Sequence, residues 1–340
     1  MGKIVTFGEI MLRLAPEGYY RLVQADRLVT TYGGGEANVA ISLANFGLDA
    51  AFVSKVPNNE IGQSAINSLR RFGVDTSFIT RGGNRLGIYF LEKGASQRAS
   101  KVVYDRAGSS IATAEPADFN WKNILSGASW FHFTGITPAL SKVMADIVQE
   151  ACTVAKELNI PVSCDLNYRK NLWSRVKARE VMTGLMPFVD ICIANEEDAA
   201  DVFGIKAPDS DINTGIISHE GYKSVAKALA DTFGFKKVAI TLRESISAND
   251  NNWSALLYDG INFYFSKKYA VHIIDRVGGG DSFGAGLIYA TVQGLSASET
   301  LEFAVAASCL KHSIEGDFNM VSVAEVTNLA KGDASGRVQR

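Results

Sequence analysis

Asp275-Arg276-Val277-Gly278-Gly279-Gly280-Asp281-Ser282-Phe283-Gly284-Ala285-Gly286 sets three consecutive glycines ahead of an acidic residue and a small-residue segment of helical character. Glycines let the backbone turn sharply with its N–H groups pointing inward. A helix N-terminus behind them adds a partial positive charge. The combination is a cradle for a phosphate or another developing anion. Asp281 at its rim would repel a bound phosphate. Its carboxylate fits better as a general base that takes the proton of an attacking hydroxyl. The stretch points to phosphoryl transfer, with the amides of Gly278, Gly279 and Gly280 as the anion hole.

Outward from this stretch, short apolar runs alternate with longer helical patterns. Ile4–Phe7, Ala51–Val56, Trp130–Phe133, Pro161–Asp165, Val189–Ile193 and Lys237–Thr241 read as strands. Asn38–Phe46, Ile61–Phe72, Lys142–Leu158, Tyr222–Phe233, Asp281–Gln293 and Ala297–Lys311 read as helices. This order predicts an α/β fold, a mostly parallel sheet with helices on both faces, whose ligands gather beyond the carboxyl ends of the strands. Residues 11–32 and 85–109 break the rhythm. Gly87–Glu92 and Lys101–Arg106 show partial alternation, so both segments are expected to form a small β-sheet, serving as a lid or an oligomer interface. No linker divides the chain. Residues 1–330 are expected to form one domain with the lid inserted, and residues 331–340 a flexible tail.

The composition narrows the function. The 340 residues are 47% hydrophobic with a formal net charge of -2, which makes no electrostatic case for nucleic acid or an anionic membrane surface. No apolar run reaches the roughly 18 residues of a membrane span. No signal peptide is read, and Cys152, Cys164, Cys192 and Cys309 include no CxxC pair. A cytoplasmic protein with reduced core cysteines is expected.

Four further clusters carry polar chemistry. Gly33-Gly34-Gly35-Glu36-Ala37-Asn38 is a second glycine run opening a helix, with Asn38 offering both a donor and an acceptor; as pattern alone it reads equally as a turn and cap. Asp165-Leu166-Asn167-Tyr168-Arg169 follows a buried strand, and Arg169 can bind a carboxylate or phosphate bidentately. In Tyr104-Asp105-Arg106, alternation puts Tyr104 and Arg106 on one face of the presumed lid and Asp105 on the other. Asn195-Glu196-Glu197-Asp198 follows another strand; Glu197 and Asp198 could hold magnesium through water, or simply start an acidic helix.

The two glycine motifs, at opposite ends of an alternating chain, resemble the ribokinase-like (PfkB) carbohydrate kinases over essentially the whole length. The opening motif is similar to that family's signature, whose aspartate is the catalytic base, here Asp281. Gly34–Ala40, Tyr104–Arg106, Phe131–Pro138 and Asp165–Arg169, with Leu172-Trp173 after it, resemble the branch acting on 2-keto-3-deoxygluconate. The resemblance implies an ATP- and magnesium-dependent kinase of that sugar acid, phosphorylating its C6 hydroxyl, with Gly34, Asn38, Tyr89, Tyr104, Arg106, Arg169 and Asp281 around the substrate. It places Asn195, Thr241, Arg243, Gly278 and Gly280 at the nucleotide. A monovalent cation, common in the family, and a homo-oligomer formed through the lid are further expectations. Two arginines suit a carboxylate-bearing sugar better than a neutral one.

The chain departs from the family pattern at Arg276, where a threonine is usual. It departs again at Asp198, which is one methylene short, and at Thr241-Leu242-Arg243-Glu244-Ser245, which replaces a glycine-containing nucleotide loop. A kinase of a neutral sugar or nucleoside stays open, as does a non-catalytic sensor on the same scaffold. A dinucleotide-dependent oxidoreductase is disfavoured, because no G-x-G-x-x-G follows the first strand.

Overall fold

A computed structural model describes residues 2–195, 197–206 and 219–333. Its strands are β1 (Lys3–Phe7), β2 (Met11–Ala15), β3 (Val29–Gly33), β4 (Ala50–Val56), β5 (Ile79–Arg81), β6 (Gly87–Glu92) and β7 (Lys101–Asp105). They continue as β8 (Ala128–Thr134), β9 (Val162–Asp165), β10 (Ile191–Asn195), β11 (Lys237–Ser245), β12 (Asp250–Tyr258), β13 (Phe263–Phe265) and β14 (Tyr269–His272). Ten of them form one sheet in the order β13-β12-β11-β10-β9-β8-β1-β4-β5, with β14 also on β12. From β5 across to β11 all neighbours run parallel; β12, β13 and β14 add an antiparallel edge.

The parallel strands read clearly in the sequence because helices cover both of their faces, making them near-continuous apolar runs. Alternation then sorts the side chains. Val5, Phe7, Phe131 and Phe133 join the core beneath the Lys142–Glu157 helix. Ile4, Trp130, Ile191 and Ile193 join the opposite core, with the Gly35–Asn45 and Gly279–Val292 helices. There the Gly279–Val292 helix lies close against the Ala297–Lys311 helix. A Cβ on Gly286 would stand 2.8 Å from the Ala304 Cα, so this crossing needs a residue without a side chain.

The structure differs from the sequence reading in three places. The expected polar nucleotide loop is a long β-hairpin arm: β11 runs on through Arg243 to Ser245 and returns as β12. Asp250-Asn251-Asn252 hides this strand, since Asp and Asn are poor strand formers. The helix after the triple glycine begins at Gly279, two residues before Asp281, with Gly278 as its left-handed N-cap. Lys331 belongs to a helix, Val323–Lys331, and residues 334–340 lie outside the described residues.

The expected small sheet is present as β3-β2-β6-β7, a mixed sheet with β7 and β3 as open edges. All of β7 is exposed. No helix among the described residues is long and apolar enough to cross a membrane.

Candidate active site

Along the chain, β1 is followed in one direction by β4 and β5, and in the other by β8 through β11. The sheet order therefore reverses beside β1, and ligands of open α/β sheets bind in the crevice at such a point. A cleft of about 470 Å³ opens there, at the carboxyl ends of β8, β9 and β10, with the small sheet on its far side. It brings together Gly34, Asn38, Tyr89, Tyr104, Arg106, Arg169, Asn195, Glu197, Asp198, Thr241, Arg243, Gly278, Gly280 and Asp281 from the sequence reading.

The two glycine motifs meet through one hydrogen bond. Asn38 Nδ2 donates to Asp281 Oδ2 at 2.7 Å, while Asn38 Oδ1 accepts from the Gly34 N–H at 3.3 Å. Asn38 therefore aims the Asp281 carboxylate. Desolvation pushes Asp281 up to about 6, with Asn38 pulling the other way. Ionised just below neutrality, the carboxylate can accept a proton.

Gly34 has no room for a side chain, because a Cβ there would stand 2.0 Å from the Glu9 carbonyl oxygen. The residue after the second motif's glycines is a structural clamp. Glu36 is fully buried, and its Oε1 accepts from the Thr134 N–H (3.0 Å), the Thr134 hydroxyl (2.8 Å) and the Thr137 hydroxyl (2.6 Å). This ties the Gly35–Asn45 helix to the end of β8.

Burial raises Glu36 from 4.5 to about 7. Its contribution to stability is therefore full below pH 4.5 and lost as pH rises through about 7. In paired denaturant titrations, Glu36→Gln should gain on the parent across that window, by up to about 3 kcal/mol. A stability difference that does not change between pH 5 and pH 8 would contradict this.

The triple glycine divides its labour. Gly278 and Gly280 line the cleft. Gly279 does not, which corrects the expectation of three equivalent anion-hole amides. Its N–H bonds the Arg276 carbonyl at 3.3 Å, and a Cβ on it would meet the His312 ring at 2.5 Å. Gly279 is there for close packing. The N–H groups of Gly280 and Asp281 belong to the first helical turn, where intrahelical acceptors are lacking.

The two arginines differ in their surroundings. Arg106 is buried, pairs with Glu9 at 2.9 Å and lies over the Tyr104 ring at 4.1 Å. Neighbouring Asp105 points away and pairs with Arg85 at 2.7 Å. Arg169 has no ion pair among the described residues; its guanidinium donates to the Tyr168 carbonyl at 3.1 Å. Tyr89 is buried, and its hydroxyl donates to Asp317.

On the side where the nucleotide is expected, Asn195 Oδ1 accepts from the N–H groups of Glu197 (2.8 Å) and Asp198 (3.0 Å). Arg276 lines the cleft near Arg243 and donates to the Ala248 carbonyl at 2.9 Å, holding the hairpin arm against the glycine loop.

The magnesium expectation is corrected at Asp198. That residue is buried, and its two oxygens accept from the N–H groups of Tyr168 and Asn195, each at 3.1 Å. It fastens the ends of β9 and β10 together and is not free to ligate. No group of three His, Cys, Asp or Glu among the described residues could cage a metal. Of the other carboxylates at this part of the cleft, Asp201 is paired with Arg175 at 2.7 Å, which leaves exposed Glu197 and partly buried Asp165. That fits a magnesium carried by nucleotide phosphates and reached through water.

Sequence reasoning missed Glu9 and Asp317, and gave Asp165 no role of its own within its cluster; all three line the cleft. Burial, then the Asp198 and Asp281 charges, push Asp165 well above the usual carboxylate range. Burial also raises Glu9, against the pull of Arg106 and Arg169. Glu9 lies two residues past the end of β1, and that place beyond the first strand is the one signal that could have singled it out.

The chain matches the pfkB family carbohydrate kinase over residues 1–321. It is 31% identical to the 2-dehydro-3-deoxygalactonokinase of Haloferax volcanii, over 98% of both chains. It is 28% identical to the 2-dehydro-3-deoxygluconokinase of Bacillus subtilis, over 93% of this chain and 91% of that one. Among solved structures, the 2-dehydro-3-deoxygluconokinase of Thermotoga maritima superposes with a TM-score of 0.94 at 52% identity, covering 97% of this chain and 98% of that one. By this match over nearly its whole length, the chain belongs to the pfkB family of carbohydrate kinases.

Proposed function

We propose that this kinase transfers the γ-phosphoryl group of ATP to the C6 hydroxyl of 2-keto-3-deoxygluconate. The observation that carries the reading is Arg169, a cleft arginine with no ion-pair partner among the described residues. An arginine left open in a site that also holds the family's aspartate calls for an acceptor that brings its own carboxylate. Arg106, already paired with Glu9, backs it from the lid.

In this reading Asp281 accepts the C6 hydroxyl proton as the oxygen attacks the γ-phosphorus and the bond to the leaving ADP oxygen breaks. The Gly278 and Gly280 amides and the helix N-terminus stabilise the charge on the transferring group. Arg243 and Arg276 face the nucleotide phosphates, beside Asn195 and Thr241. Glu197 would hold a magnesium ion through water, and that ion, bound with ATP, would supply neutralisation of phosphate charge. Residues 1–330 act as one body. The small sheet of residues 11–32 and 85–109 serves as a lid that excludes water. Exposed Val102 and Val103 on the open edge β7 support pairing of two lids in a homo-oligomer.

The test is a kinetic panel of 2-keto-3-deoxygluconate, its C4 epimer, fructose and ribose, run on the parent and on Arg169→Ala. The keto-deoxy acid should lead. Arg169→Ala should lower its kcat/KM by about 10²-fold or more, as expected for a charge-assisted pair of roughly 3 kcal/mol. The neutral sugars should be untouched. Neutral sugars turned over better, with Arg169→Ala harmless, would reject the sugar-acid assignment. The epimer is included because the relative from Haloferax volcanii carries the galactonate name.

A further inference from the structure

Lys311, the last residue of the Ala297–Lys311 helix, is completely buried. Among the described residues its ammonium makes no salt bridge at contact distance. It donates to two backbone carbonyls, of Ile314 at 3.1 Å and Asp275 at 3.5 Å. Those carbonyls stand on the two segments that build the anion loop from behind. Asp275 opens the glycine stretch, and Ile314 leads to Gly316, whose N–H bonds Asp275 Oδ2 at 3.1 Å. The Lys311 Cε lies 3.3 Å from where a Gly278 Cβ would be. The charge is therefore seated directly behind the glycine whose other side faces the cleft. Arg13, paired with Asp275 and Asp317, completes the layer beneath the loop.

A buried ammonium is costly. Desolvation draws the Lys311 pKa down, while the fields of Asp275, Asp317 and Asp281 hold the charge in place. An aliphatic side chain of that length would satisfy packing without this cost. What the ammonium adds is a cation bound by carbonyl oxygens beside a loop that must stabilise negative charge. It also draws the Asp281 pKa down.

We propose that the Lys311 ammonium is a tethered monovalent cation. Fixed behind the anion loop, it does the positioning and electrostatic work that a free ion would otherwise do, so this chain needs no potassium. Lys311 touches neither reactant and acts through the Gly278 loop and Asp281; the proposal rests on the reading of that loop as the phosphoryl site. Shortening the side chain would leave a small carbonyl-lined hole whose chemistry suits a potassium or ammonium ion.

The test uses the full chain and the variants Lys311→Ala and Lys311→Met, each in tetramethylammonium, potassium and ammonium chloride at equal ionic strength. Parent turnover should change by less than about twofold among the three salts. Lys311→Ala in tetramethylammonium should lose roughly tenfold or more in kcat, about 1.4 kcal/mol of transition-state stabilisation, with the acceptor KM little changed. Potassium or ammonium should restore several-fold of that loss and raise the Tm of Lys311→Ala but not of the parent. Lys311→Met fills the space without the charge, so it should fold, lose kcat and resist rescue.

The Tm series needs no substrate, so it reads the cation site even if the sugar-acid assignment fails. Strong activation of the parent by potassium would overturn the proposal. So would full kcat in folded Lys311→Met, or a Lys311→Ala variant indifferent to all three salts.

Discussion

Asp281→Asn is expected to lower kcat by about 10²–10⁴-fold while leaving the fold intact. The substitution is isosteric, and Asn38 Nδ2 can donate to an amide oxygen as it does to the carboxylate at 2.7 Å. What is lost, in the proposed mechanism, is the proton acceptor. Because desolvation sets Asp281 to about 6, the parent rate should fall as pH drops through that value, since protonation removes the base. The residual rate of the variant should lack this acid limb. A coupled assay of ADP formation across pH 5–8, with circular dichroism as the control for folding, measures both. Near-normal turnover in a folded Asp281→Asn protein would remove Asp281 from the chemistry.

Gly278→Ala should be nearly as damaging, for a reason that lies in the backbone. Gly278 has φ +83°, the left-handed region, which costs an L-residue roughly 1–2 kcal/mol. A Cβ there would also stand 2.0 Å from the Asp317 carbonyl oxygen, part of a backbone held by its neighbours. Either the loop moves or the Asp317 segment moves, and both carry the cradle. A fall in Tm of at least several degrees is expected, together with a kcat loss of about 10²–10³-fold, the range for displaced anion-hole donors. Gly280→Ala is the internal control, since nothing lies within 4 Å of a Cβ there. It should be far milder in Tm. If Gly278→Ala kept both Tm and kcat, the loop would not be the rigid cradle described here.

The separation of these two effects mirrors how the site is built. Asp281 is held from one side by Asn38, which the Gly34 N–H in turn orients. The glycine loop is held from behind by Lys311, Arg13, Asp275 and Asp317. Motifs far apart in the chain are thus joined by a few polar contacts. Glu36 joins the second glycine motif to Thr134 and Thr137 in the same way. Two segments singled out by their glycines are, physically, the two halves of one clamp.

Periodicity and glycine placement determined a good deal by themselves. Strands buried on both faces are apolar throughout, and amphipathic helices carry their stripe, so the parallel sheet and its crossovers are local signals that no other fold explains well. The glycine run before Asp281 likewise declares a backbone cradle, because only glycine leaves room for one. The antiparallel edge was not legible: β12 begins with Asp250-Asn251-Asn252 and gains its strand geometry only from pairing with β11 and β14.

The tertiary structure alone decided which polar residues serve the cleft and which serve the frame. Asp198 is absorbed by two backbone N–H groups and Gly279 by packing against His312. Arg106 is shared with Glu9, whereas Arg169 stays open. Whether a charged side chain meets a ligand or a neighbour depends on residues scores of positions away. Sequence spacing therefore names the candidates, and only the folded chain shows which of them already have a partner.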